Sequence, residues 1–171
     1  MTKFVIRYII TLLLLIPAQA IIFNHLVLFD VAVPLVFIYL IVMLPVTIGT
    51  NVSMLVAFAA GLLLDVFCDT PGVNALCATV LSFARKPIFH LYVSTDDDLA
   101  ARPPSSLSMG HTVFMKYLLS MVVAYCTMYF TVEAFQFFNF RLLVLRILAS
   151  SLYTFILLYA LDCISMRMHK D

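Results

Sequence analysis

Six apolar runs, at residues 4–23, 26–45, 52–68, 73–92, 113–130 and 142–164, take up most of this chain, and the connections between them are mostly very short. About 20 apolar residues in a helix, rising roughly 1.5 Å each, cross the roughly 30 Å hydrocarbon layer of a bilayer. Inside hydrocarbon every backbone N–H and C=O needs a partner from the protein itself, which makes helices the solution for runs of this length. Composition removes the soluble alternative. Of the 171 residues, 64% are hydrophobic and 11% charged, whereas soluble domains are about half apolar and about a quarter charged. The expectation is an all-α integral membrane protein, a compact bundle of about six transmembrane helices forming a single polytopic domain over residues 1–171.

The N-terminal run begins with Lys3 and Arg7 and passes Ala18-x-Ala20, in imitation of a secretory signal peptide. It continues through Ile21, Ile22 and Phe23, so a retained first span is the favoured reading. Orientation comes from the cations. Lys3, Arg7, Arg85, Lys86, Arg102, Lys116, Arg167 and Lys170 fall on or near one side, with Arg141 and Arg146 near the other, which puts both termini in the cytoplasm. Segment four is the weakest span, because Arg85 and Lys86 lie within it and Pro87 is expected to interrupt the helix just beyond them. Only residues 94–111, rich in Ser, Pro and Asp, have the composition of a flexible loop. A formal net charge of +1 gives no electrostatic case for nucleic acid. The expected surroundings are the lipid bilayer and other membrane segments.

The stretch "GLLLDVFCDTPGVNALC", residues 61–77, holds two carboxylates at the end of an apolar run. Ser53, Ala57 and Gly61 recur every four residues and reach Asp65 at the same spacing, so small side chains and a carboxylate share one helical stripe. That stripe is expected to face protein, since insertion scales charge about 2.5 to 3.5 kcal/mol for an Asp at the membrane centre. Thr70-Pro71-Gly72-Val73 fits a type II turn, with proline at the first central position and glycine accepting positive φ at the second. Asp65 and Asp69 would then flank a tight hairpin.

The longer stretch "GLLLDVFCDTPGVNALCATVLSFARKP", with its Gly-x-x-x-Asp span end, Pro-Gly turn and small-residue helix ending in basic residues and proline, resembles the rod shape-determining protein MreD family. Chain size, the basic N-terminal span and the short basic C-terminal tail share the resemblance; residues 61–87 are its most distinctive part. It implies a non-enzymatic component of the bacterial inner (cytoplasmic) membrane that acts in cell elongation. Implied partners are an MreC-like bitopic membrane protein and, indirectly, an MreB-like filament and the peptidoglycan synthases. The family's spans are also similar to the S components of energy-coupling-factor vitamin transporters. That likeness supplies the competing reading, a solute-binding subunit with Asp65, Asp69 and Arg146 around a polar ligand. The absence of tryptophan and of a polar cluster weighs against it.

The remaining charges have structural readings first. Asp30, four residues before Pro34, is placed near the outer end of span two, to pair with Arg141 or Arg146 or to meet interfacial water. By matching depth, Arg146 is expected to meet Asp65, Asp69 or Asp30 in a pair that fixes helix register. Asp162 is placed near the cytoplasmic end of span six, to be neutralised by Lys116 or Arg85 or, equally, to stand exposed to water. Between spans five and six, Phe135, Phe137, Phe138 and Phe140 alternate with polar residues, as an interfacial anchor or as a contact for a partner's membrane-proximal segment.

Chemistry finds little to work with. His25, His90, His111 and His169 lack metal-site spacing, no nucleophile motif or phosphate-binding glycine loop is present, and the four cysteines stand singly in apolar stretches. The cysteines read as small buried hydrophobes, no cofactor is expected, and no enzymatic activity is assigned. Asn51-Val52-Ser53 matches a glycosylation sequon but falls in a turn expected to be cytoplasmic.

Overall fold

The computed structural model describes residues 2–23, 32–93, 103–133 and 140–167. Among them the chain is helical, with no strand. Helix α1 spans Thr2–Ala18 and runs into a π-helical turn, Gln19–Phe23; α2 is the short Ile38–Val42; α3 is Thr50–Cys68; α4 is Val73–Tyr92; α5 is the single turn Ser106–Met109; α6 is His111–Glu133; α7 is Phe140–Arg167. Three of these, α3, α6 and residues 140–164 of α7, are long and apolar enough to cross a membrane, and they mark a membrane protein. Helix α4 has 20 residues, a comparable length, but carries Asn74, Arg85, Lys86 and His90.

The helices pack as a row, α3 on α4, α4 on α6 and α6 on α7, with α1 against α3 and α2 wedged between α4 and α6. Sequence periodicity produces that arrangement. On α3 the buried positions are Ser53, Ala57, Ala60, Gly61, Leu64 and Asp65; on α4 they are Asn74, Ala75, Cys77, Ala78, Leu81, Ser82, Arg85 and Phe89. Both sets recur at three and four residues, so each makes one face. Small residues dominate the α3 face and let the backbones approach closely. Outward-facing Leu55, Phe58, Leu62 and Val66 of α3 and Leu145, Leu148, Leu152 and Ile156 of α7 stay exposed on the protein surface, as lipid-facing side chains do.

Two expectations require correction. Pro87 does not break α4, which continues through it to Tyr92. The helix tolerates a missing N–H there because Arg85 and Phe89, on either side, are buried in the core and hold the segment by packing. The second correction concerns residues 26–45, whose described part is no continuous span: residues 32–37 are irregular, and only Ile38–Val42 form a helix. Leu35, Val36 and Phe37 are nonetheless among the most buried residues in the molecule.

Irregular backbone at this depth is tolerated only where protein satisfies it, and three side chains do so. The Gln19 amide nitrogen donates to the Pro34 carbonyl at 2.7 Å, while its oxygen accepts from the Val36 and Phe37 N–H groups at 2.8 and 3.2 Å. From the other side, the hydroxyls of Ser150 and Thr154 on α7 accept from Val33 N–H and Leu35 N–H, both at 3.0 Å. Gln19 thus plays the part of a missing helical turn. Gln19→Leu strands three buried backbone groups and is expected to cost about 2 to 3 kcal/mol after partial relaxation. A thermal melt in detergent that matches the parent within a degree would exclude this role.

Candidate functional site

The hairpin between α3 and α4 is built around one carboxylate. Gly72, the residue before α4, offers no side-chain acceptor, so the first N–H groups of α4 need one from elsewhere. Asp65, in the last turn of α3 and only 5% exposed, supplies it. Its Oδ1 accepts from Asn74 N–H at 3.0 Å, from Asn74 Nδ2 at 2.9 Å and from the Thr70 hydroxyl; its Oδ2 accepts from Ala75 N–H at 2.8 Å. The Asn74 amide oxygen in turn accepts from the Tyr125 hydroxyl of α6 at 2.9 Å. One side chain therefore caps a neighbouring helix and, through Asn74, ties three helices together. A negative charge at a helix N-terminus is also favoured by the helix dipole.

The turn itself is tighter than the sequence implies. Gly72 has φ 78° and ψ 13°, close to the second central residue of a type II turn. Its N–H, however, donates to Thr70 C=O at 2.8 Å, a three-residue closure across Pro71. Asp69 takes left-handed backbone, φ 56°, and its N–H, like that of Thr70, returns to the Asp65 carbonyl to end α3. Its side chain is exposed, as is Pro71.

The small-residue stripe lies directly against α4. Ser53 and Ser82 share a buried hydroxyl contact at 2.7 Å, and Ala57 is buried between α3 and its neighbours. At Gly61 a Cβ would come within 2.6 Å of Ala75 Cα and 2.8 Å of Asn74 O. Gly61→Ala is therefore expected to wedge the helices apart beside the Asp65 cap, at about 2 to 3 kcal/mol. By contrast, Gly72→Ala meets nothing within 4 Å and carries only the backbone cost of about 1 to 2 kcal/mol. Gly49→Ala, also with nothing within 4 Å and at φ −52°, is expected to be near neutral. Melts of the three variants should fall in that order.

The structure separates residues that the sequence reading had paired. Arg146 does not meet Asp65 or Asp69; its carboxylate neighbour is Glu133 at 3.9 Å, half-exposed and worth under about 1 kcal/mol. The Asp65 site is already filled by neutral donors, so a cation there has no role. Asp162 meets neither Lys116 nor Arg85: it is buried and accepts from the Ser106 hydroxyl of α5. Arg85, first read as a topology signal, is fully buried and donates from Nη1 and Nη2 to the carbonyls of Leu44 and Pro45, the latter at 3.2 Å. Phe140 opens α7 and is exposed. Asp30, Phe135, Phe137 and Phe138 lie outside the described residues.

Thr70, Asn74, Tyr125, Gln19 and Arg85 are the residues that sequence reasoning missed. For the first two a signal existed: a glycine before a helix start leaves N–H groups in search of an acceptor, and Asp65 was the carboxylate within one hairpin of them. Among the described residues no three His, Cys, Asp or Glu side chains come together to hold a metal ion. No family model, curated protein or solved structure matches this chain.

Proposed function

We propose that the protein is a non-catalytic, multi-pass scaffold of a bacterial inner membrane, acting as an MreD-like protein does in cell elongation. In this reading both termini are cytoplasmic, and the protein is a six-pass, S-component-like bundle in which residues 32–45 belong to a broken rather than continuous span. Its partner is an MreC-like bitopic protein, whose membrane helix lies against the outer apolar faces, and through it the protein serves an MreB-like filament and the peptidoglycan synthases. The observation that carries the reading is the state of Asp65. The carboxylate most suited to greeting a solute is engaged at both oxygens by Thr70, Asn74 and Ala75, so it maintains the bundle's shape and has no capacity left for a ligand.

A solute-binding subunit is the second reading, and one observation favours it. Transporters build their sites from discontinuous helices, and residues 32–45 are such an element, held in the core by Gln19, Ser150 and Thr154. Affinity purification of the tagged protein from its native membrane in mild detergent, with mass spectrometry of what is retained, separates the two. Retention of a bitopic protein together with cell-wall transpeptidase and glycosyltransferase subunits supports the scaffold. Retention of paired ATPases with a coupling membrane subunit overturns it.

A further inference from the structure

The approach to α2 is wound more tightly than an α-helix. Ile38, Tyr39 and Leu40 donate their N–H groups three residues back, to the carbonyls of Leu35, Val36 and Phe37 at 3.4, 3.0 and 3.0 Å, which is the spacing of a 3₁₀ turn. For Ile38 the α-helical acceptor, four residues back, is Pro34 C=O, and Gln19 Nε2 already occupies it at 2.7 Å. For Phe37 it is Val33 C=O, but the Phe37 N–H is drawn off to Gln19 Oε1 at 3.2 Å. One side-chain amide thus withholds both an acceptor and a donor from the helix. The bonds made in their place, Ile38 to Leu35 and Phe37 to Gln19, are the two longest of those that residues 33–40 make here.

The sequence suits a longer helix. With Val33 just before it and Pro34 as its first residue, proline stands where its missing N–H is no loss, and Val33 keeps the extended backbone that a following proline favours. Ser150 and Thr154 hold the N–H groups of Val33 and Leu35, which are first-turn donors of that longer helix and need an outside acceptor in it as well. Gln19 opens the π-helical turn Gln19–Phe23, two residues after Pro17 of α1, and such turns are rare and recur at functional sites. We propose that residues 33–38 are a two-state backbone element. While the Gln19 amide holds Pro34 C=O and Phe37 N–H, α2 starts at Ile38; when it releases them, α2 rewinds to start at Pro34, with the hydroxyls of α7 as the pivot. Phe37 and Ile38 N–H are bonded in both states, so a displacement of the end of α1 selects between them. The device serves a scaffold and a solute-binding subunit alike.

The test is NMR of the full chain in detergent micelles, with 13C labels on proline, valine and leucine, because Cα shifts report helix residue by residue. In the parent, Pro34 and Leu35 are expected at non-helical positions, with microsecond-to-millisecond relaxation dispersion confined to residues 33–38. Gln19→Leu is expected to move both Cα signals to helical positions and to quench the dispersion, while the resonances of α3 and α4 stay in place. Rewinding is the relaxation open to that variant; Val36 N–H stays stranded, so its Tm still falls. Ser150→Ala is expected to lower Tm as well but to leave Pro34 and Leu35 non-helical, whereas a merely structural role for Gln19 would make the two variants alike. Pro34 and Leu35 that remain non-helical in Gln19→Leu would overturn the switch, and so would rewinding in Ser150→Ala. Should Gln19→Leu fail to fold, Gln19→Met, which keeps the side-chain length, carries the same expectation. A parent without dispersion at residues 33–38 would refute two states whatever the variants do.

Discussion

Asp65→Leu is expected to lose about 4 kcal/mol of stability. Four donors lose their acceptor at once: the N–H groups of Asn74 and Ala75, the Asn74 amide and the Thr70 hydroxyl. Each buried donor left unpaired costs about 1 to 3 kcal/mol, and rearrangement of Thr70 toward solvent recovers part of the total. Asp65→Asn separates charge from acceptor count. It keeps one oxygen for Asn74 but turns an NH2 toward Ala75 N–H, donor against donor, and about 2 kcal/mol is the expected loss. Reactivity of Cys77, one turn into α4, reads both variants directly. An Asp65→Leu protein that melts with the parent would refute the cap as the organising contact of the hairpin.

The second large effect is expected at Arg85. Arg85→Met keeps the length of the side chain and removes its donors, so the carbonyls of Leu44 and Pro45 lose their partners in the core, at about 3 kcal/mol. Arg85→Lys retains the charge on a single ammonium, which lacks the planar fork needed to serve two carbonyls together, and should fall between Met and the parent. The damage should be local before it is global. Hydrogen exchange is expected to rise several-fold across Val46–Gly49 and the first turn of α3 in Arg85→Met, while the α3–α4 hairpin stays protected. Uniform exchange across the chain would contradict an anchoring role.

How far the sequence reaches depends on where each partner lies along the chain. The bounds of helix α4 were legible because its start follows a Pro-Gly turn and its apolar run ends at residue 92, both local properties, although its continuity through Pro87 was not. The Ser53, Ala57, Gly61 and Asp65 stripe was legible for the same reason. Residues 32–45 were not. Hydropathy counts apolar side chains, and there the run looks like any other span; what makes it irregular is the supply of backbone partners by Gln19, Ser150 and Thr154, two of them on the last helix. Charge pairing misled in the same way. Opposite signs at matching depth suggested Asp65 with Arg146, but a carboxylate is held as well by neutral donors, and those sat in the adjacent turn.

The hydrogen bonds from Val33 and Leu35 to α7 bridge 117 and 119 residues of chain. At a synthesis rate of roughly 5 to 20 residues per second, the hydroxyls that accept them leave the ribosome on the order of 6 to 24 seconds after the amides do. During that interval the segment has no partner on that side, and α2, only five residues long, is too short to cross the membrane by itself. Its burial against α7 is therefore a late step of biogenesis, completed only after residues 150–154 have joined the bundle.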